Sequence, residues 1–214
     1  MDRREKMDTV ISLFRKRYFS GIRKHPNNYN KDPYRVLIST ILSQRTREEN
    51  TAKAADALFS RIKTPSDLLK LDEKTIQKLI RPSGFYRQKA KTIRKVSEVL
   101  LNDFNGKVPS ERELLVSLPG VGLKTADVVL NHSFGQPVIA VDVHVNVCSK
   151  RIGLVSEKAD YEETRKALEK LTPLKDRDLV NLGFVFFGRE ICLTAHPKCP
   201  ICPLKKICKY YKSL

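Results

Sequence analysis

The chain has no tryptophan, no apolar run long enough to cross a bilayer, and far fewer acids than bases. Its 24 Asp+Glu stand against 41 Lys+Arg over 214 residues, a formal charge of +17. So few carboxylates point away from a cationic partner and toward a polyanion, DNA or RNA first, an anionic membrane or acidic protein second. A membrane span needs roughly 18 apolar residues in succession; with none present no span is expected, and with nucleic acid preferred no membrane partner is. The opening MDRREKMDTV holds acids and no apolar stretch, so a secretory signal is not expected and a cytoplasmic chain is. Disorder is excluded as well. A hydrophobic content of 41%, with nine Phe and seven Tyr, can build a core, and the length suits one domain or two small ones.

An even cysteine count is also missing. Of five cysteines, four fall near the C-terminus as C-x6-C-x2-C-x5-C: Cys192, Cys199, Cys202 and Cys208. Without a secretion signal a disulfide framework is a poor reading. Four thiolates from one loop can hold a tetrahedral zinc or an iron–sulfur cluster. Zinc ribbons usually supply two C-x2-C pairs, whereas here only Cys199 and Cys202 form one, so the spacing leans toward a cluster. Cys148, between Val147 and Ser149, reads as a small core residue.

Helical periodicity runs through almost the whole chain. Met7, Val10, Ile11, Phe14, Tyr18 and Ile22 recur at three- and four-residue steps and predict a helix over 4–24, followed by a break at HPNNYN (25–30). Asp32-Pro33 pairs an N-cap with proline at the first helical position and opens a helix to about Ser43. Further helices are expected at 48–61, 65–71, 73–81 and 87–104. Ser110 with Glu113 has the form of a capping box for a helix over 111–118, and Asp160 with Glu163 for one over 160–171; a last helix covers 177–190. One segment departs from this pattern: PVIAVDVHVNV (137–147) alternates apolar and polar residues and by propensity reads as a strand.

The stretch 114–142 carries the chemistry. LLVSLPGVGLKTADVVL (114–130) reads as helix, tight turn and helix, with Pro119-Gly120-Val121-Gly122 as the turn. Its amides and the following helix N-terminus offer an anion site suited to a DNA phosphate. A P-loop is excluded, because G-x4-G-K-[ST] after a strand is not present. Lys124 falls in the first turn of the second helix, where a cation is electrostatically disfavoured. A lysine attacks carbon as its neutral amine, so the dipole, partial burial and basic surroundings would suit a nucleophile. Asp142, eighteen residues on and flanked by Val141 and Val143, reads as an N-cap or a reacting group.

LPGVGLKTADVVLNHSFGQPVIAVDVHV (118–145), together with the four-cysteine tail, resembles the endonuclease III family of helix-hairpin-helix/Gly-Pro-Asp DNA glycosylases, over about residue 33 to Cys208. The resemblance implies an all-α, two-domain fold. A helical barrel would span 26–136 and carry the hairpin; an iron–sulfur domain would combine 1–25 with 137–214. The cysteines would hold a [4Fe–4S] cluster. Lys124 takes the position of the nucleophile and Asp142 that of the catalytic aspartate, with an oxidised pyrimidine flipped into a pocket between the domains. Lys124 would form a Schiff base at C1′, and β-elimination would cut the strand 3′ to the abasic site. The partner would be double-stranded DNA with a damaged or abasic nucleotide, bound by a monomer at the nucleoid. The family further implies that 137–147 turns helical near Asp142, overriding propensity.

Candidate DNA contacts are Gly120, Val121, Gly122 and Thr125 at the hairpin, His144 beside the aspartate, and Lys198 in a tail whose five lysines meet no acid from Cys192 onward. The duplex-probing loop is Ser43-Gln44-Arg45-Thr46-Arg47-Glu48, with Arg45 in a slot where glutamine is usual and Gln44 one residue earlier. In a second loop Phe85 follows Gly84 where a leucine wedge is usual; it suits intercalation or a place in the core. The alternatives are a sibling glycosylase for mismatched thymine or adenine, in which the lysine is commonly missing, or a non-catalytic DNA-binding iron–sulfur protein.

Overall fold

The computed structural model describes residues 1–20 and 32–214, and every regular element among them is helical. In chain order the α-helices are α1 (Arg3–Tyr18), α2 (Pro33–Ser43), α3 (Glu48–Phe59), α4 (Pro65–Lys70), α5 (Glu73–Leu79), α6 (Tyr86–Phe104), α7 (Arg112–Ser117), α8 (Leu123–Phe134), α9 (Val143–Ile152), α10 (Tyr161–Leu171) and α11 (Arg177–Glu190). They fall into two compact units, one of Met1–Asn27 with Pro137–Leu214 and one of Asn28–Gln136.

In the unit 28–136, α2 is the central element, packed against α8, α3 and α6. Its start is built as the sequence predicts: the Asp32 carboxylate accepts from the Arg35 amide at 2.7 Å and Pro33 fills the first turn. Val36, Leu37, Ile38, Ile41 and Leu42 are all buried, so α2 is apolar on most sides. Helix α6 buries a stripe of Lys89, Ala90, Ile93, Val96, Ser97 and Leu100 beneath α4 and α5. Lys89 is the charged residue on that stripe.

The other unit is built on α1, α9, α10 and α11. Met7, Val10, Ile11 and Phe14 of α1 enter a core with Val180, Phe184 and Phe187 of α11. The Phe14 ring meets Phe184 edge-on, with centroids 5.1 Å apart, and lies directly over Gly183. A methyl at Gly183 would enter the Phe14 ring, so Gly183→Ala is expected to lower stability by about 1–3 kcal/mol, the usual cost of overpacking. Urea unfolding measures it.

Two expectations are corrected. Helix α1 stops at Tyr18 rather than 24: Phe19 leaves helical geometry at φ −126° and ψ 11° and packs its ring on Phe186. Ile22 and the break at HPNNYN lie outside the described residues. The Ser110–Glu113 capping box does not form, because Glu111 is the N-cap and its carboxylate instead takes the Ser110 amide at 3.1 Å and hydroxyl at 3.3 Å. The box of Asp160 and Glu163 does form.

At 137–147 the helix implied by the resemblance replaces the strand that propensity alone suggests, with Asp142 as its N-cap. Residues 137–142 form no strand, and a turn closed by the Asp142 amide donating to the Ala140 carbonyl at 3.1 Å leads into α9 at Val143. Side chains serve the backbone instead. The Ile139 amide donates to Glu169 at 3.0 Å, the Val141 amide to the Tyr161 hydroxyl at 3.2 Å, and Asn181 donates to the Ala140 carbonyl at 2.8 Å. Ile139, Ala140 and Val141 bury their apolar side chains.

Candidate nucleic-acid interface and cysteine loop

The hairpin joins α7 to α8 through a turn that only glycine fits at its second position. Gly120 has φ +72°, and a Cβ there would stand 2.6 Å from Cγ2 of Thr92. The buried Val121 anchors the turn, its amide donating to the Leu118 carbonyl at 3.1 Å. Gly122 caps α8 without a side-chain bond, which leaves the first-turn amides to meet an anion. Lys124 is exposed on that first turn, not partly buried as expected from the sequence. Thr125 is buried, and its hydroxyl accepts from the Gln44 amide group at 3.5 Å.

A fork of Arg112 and Asp127 clamps the two hairpin helices. Nε to Oδ1 is 2.6 Å and Nη2 to Oδ2 is 3.1 Å, and Asp127 is wholly buried. Asp127→Ala leaves the guanidinium without this carboxylate, and breaking a buried pair costs about 3–5 kcal/mol. A drop of that order in unfolding free energy is expected, measured by urea titration.

Three loops of the same unit converge on one pocket of about 360 Å3, lined by Ile41, Gln44, Arg45, Phe85, Lys89 and Gly120 among others. Gln44 reaches the hairpin and donates to the Gly120 carbonyl at 3.1 Å. Arg45 is exposed with φ +51°, and Phe85 is 63% exposed with φ +46°. That exposure excludes Phe85 from the core. Left-handed backbone at two residues with full side chains stores strain, and both face one cavity. Beneath them is Lys89, 6% exposed, which the sequence analysis passed over although its place on the apolar stripe of α6 marks it. Burial pushes this lysine down to about 8.

In the other unit Asp142 is the N-cap of α9, its Oδ1 accepting from the Val145 amide at 2.8 Å. Next to it His144 packs its ring on Gly188, where a Cβ would come within 2.7 Å of Nδ1. Val141, Asp142, Asn146, Asp160 and Tyr161 line a shallow pocket of about 350 Å3.

All four tail cysteines line one small cavity closed by Ile152, Phe187, Ile191 and Leu204. Among the described residues no three His, Cys, Asp or Glu side chains are grouped to share a metal ion. Four thiols lining one cavity fit the donor set of a polynuclear cluster, in which each iron takes one thiolate. Arg151, which no sequence pattern marked, fastens the loop. It donates to the Leu193 carbonyl at 2.7 Å and the Thr194 carbonyl at 2.9 Å, lies 3.6 Å from Sγ of Cys192, and stacks on Tyr210 at 4.9 Å. A hydrogen bond from Cys148, aided by Arg151 and opposed by burial, draws the Cys192 thiol below the usual thiol range; the same hydrogen bond, with burial, holds Cys148 far above it. Cys148 is buried, as expected of a core residue, but it also touches the loop. Lys198 is exposed, its amide donating to the Ile191 carbonyl at 2.9 Å.

Residues 38–174 match the family described as HhH-GPD superfamily base excision DNA repair protein. The chain belongs to the HhH-GPD superfamily. Endonuclease III of Thermotoga maritima is 45% identical over 192 residues, covering 89% of this chain and 90% of that protein. Endonuclease III of Bacillus subtilis is 37% identical over 84% of this chain and 82% of its own length. The solved structure of a trapped endonuclease III–DNA covalent intermediate, an estranged-adenine complex, superposes with a TM-score of 0.88 at 33% identity, covering 100% of this chain and 99% of that one. A thermostable thymine-DNA glycosylase gives 0.85 at 31% identity, over 99% and 98%. Within the HhH-GPD superfamily the chain is thus a DNA glycosylase/abasic-site lyase of the endonuclease III type, acting in base excision repair. The all-helical fold agrees with that membership, and no helix among the described residues is long and apolar enough to cross a membrane.

Proposed function

We propose that this enzyme removes oxidised pyrimidines from double-stranded DNA and cuts the strand 3′ to the resulting abasic site, with Lys124 and Asp142 as its catalytic residues. The observation that carries the reading is Lys124, an exposed amine on the first turn of a helix whose N-terminus is shaped by Gly120 and Gly122 to meet a phosphate. The lone pair of Lys124 Nζ attacks C1′, and the bond to the base breaks with its electrons. The Asp142 carboxylate balances positive charge developing on the deoxyribose and takes the proton that the attacking amine releases. Ring opening gives the Schiff base. In the β-elimination water takes the C2′ proton, a C2′–C3′ double bond forms as the C3′–O bond breaks, and the 3′ phosphate leaves with its electrons. Hydrolysis of the Schiff base frees Lys124.

The hairpin amides at Gly120–Gly122, the neighbouring Val121 and Thr125, the tail Lys198 and His144 are the proposed DNA contacts. Gln44, Arg45 and Phe85 are the proposed probes of the duplex. Residues 26–136 are proposed as the helical barrel domain, and 1–25 with 137–214 as the iron–sulfur domain. The setting proposed is the cytoplasm, on nucleoid DNA, as a monomer.

Cys192, Cys199, Cys202 and Cys208 are proposed to hold a [4Fe–4S] cluster, supported by their arrangement around one cavity. When bound, the cluster fixes the shape of the lysine-bearing loop; it supplies no step of the base removal. A brown protein with broad visible absorbance, bleached in Cys202→Ala, is expected. A colourless, zinc-containing protein overturns the assignment.

The experiment that tests the activity is borohydride reduction in the presence of a duplex with one abasic site. A covalent protein–DNA adduct is expected, and its absence overturns Schiff-base chemistry.

A further inference from the structure

Lys89 is a buried ammonium held by neutral oxygens. Nζ donates to the Leu42 carbonyl at 2.7 Å, the Thr46 hydroxyl at 2.7 Å and the Ser83 carbonyl at 2.8 Å. These acceptors account for its three N–H bonds. They also tie two segments together, because Leu42 in the last turn of α2 and Thr46 bracket Gln44 and Arg45 while Ser83 directly precedes Gly84 and Phe85. Thr46 completes the join by donating to the Ser83 carbonyl as well.

Burying a cation against neutral acceptors is costly compared with an apolar residue on the same helix stripe. Structure that breaks such a rule tends to serve a site. Here the cost coincides with the left-handed backbone at Arg45 and Phe85, residues that stand on either side of the clasp and line the same pocket as Lys89. A clasp that fixes both loops is what holds two strained, exposed residues ready, since strained conformations persist only where their surroundings over-determine them.

We infer that Lys89 is a positioning residue for duplex distortion: it locks the 44–46 and 83–85 loops into one rigid probe, so that Gln44 or Arg45 and Phe85 enter the DNA together. The inference rests on the proposed function in taking those loops as the probes of the duplex. Freed loops would still contact DNA but would spend binding energy on their own ordering before displacing a base.

The test uses full-length protein and a duplex with a tetrahydrofuran abasic analogue opposite 2-aminopurine, whose emission rises when the base unstacks. For Lys89→Met, anisotropy on undamaged duplex is expected within about twofold of wild type. Preference for the abasic duplex is expected to fall at least tenfold, and the emission rise to be lost. Thr46→Val, which removes the shared hydroxyl and keeps the charge, is expected to move both readouts the same way by a smaller factor, and it carries the test alone if Lys89→Met does not fold. Wild-type preference and emission in the folded variants overturn the inference. Equal losses on damaged and undamaged duplex also overturn it, since they show a merely structural residue. Failure of the wild-type protein to give a borohydride adduct counts against the lysine chemistry instead, and leaves the emission readout intact.

Discussion

Lys124→Gln is expected to abolish the borohydride adduct while leaving DNA binding and fold in place. The amide of glutamine has no nucleophilic lone pair comparable to an amine's, so neither the C1′–N bond nor the Schiff base can form, and loss to the detection limit is the expected result. Folding is spared because Lys124 is exposed and glutamine is about as good a helix former as lysine. Removing a cation from the first turn of α8 even relieves an unfavourable interaction with the helix dipole, worth a few tenths of a kcal/mol. The hairpin amides remain, so affinity for an abasic-analogue duplex is expected to stay within about an order of magnitude, the loss coming from one fewer cation near phosphate. An adduct that persists in Lys124→Gln removes this residue from the mechanism. A simultaneous collapse of binding would make it a phosphate contact instead.

The parts of the fold legible in the sequence are those that local chemistry specifies. Asp32-Pro33 sets the start of α2, Asp160 with Glu163 the start of α10, and the Gly120 turn the hairpin, because each depends on neighbours within a few residues. Propensity alone misreads 137–147, because the alternating valines from 141 on enter α9 and the groups that serve the backbone of 137–142, Glu169, Tyr161 and Asn181, come from far along the chain. Ser110 failed as a cap for a local reason invisible to a spacing rule: an adjacent carboxylate, Glu111, captured it. In the candidate site the same division holds. Motif and spacing single out Lys124, Asp142 and the four cysteines. Lys89, Arg151 and the Arg112–Asp127 clamp act through partners distant in sequence, and only Lys89 left a trace, as a charge on an apolar face.

Asp142→Asn separates the capping role of this side chain from its proposed catalytic one. As N-cap of α9 the residue needs only an acceptor oxygen for the Val145 amide, now 2.8 Å from Oδ1, and asparagine supplies one. Asn and Asp are of similar strength at this position, whereas alanine costs about 1 kcal/mol, so the asparagine variant is expected to melt close to wild type. Catalysis asks for more than an acceptor. Positive charge builds on the deoxyribose as the base departs, and the attacking amine must lose a proton; a neutral amide offsets neither. Loss of one preorganised electrostatic group typically costs a factor of about a hundred to a thousand. Single-turnover removal of an oxidised pyrimidine is therefore expected to slow by that factor in Asp142→Asn, with affinity for the lesion duplex retained and the borohydride adduct on a preformed abasic site reduced less, since the base has already left. Unchanged turnover would confine Asp142 to capping. Turnover and melting temperature falling together would show that the helix start, and not the charge, is what the reaction requires.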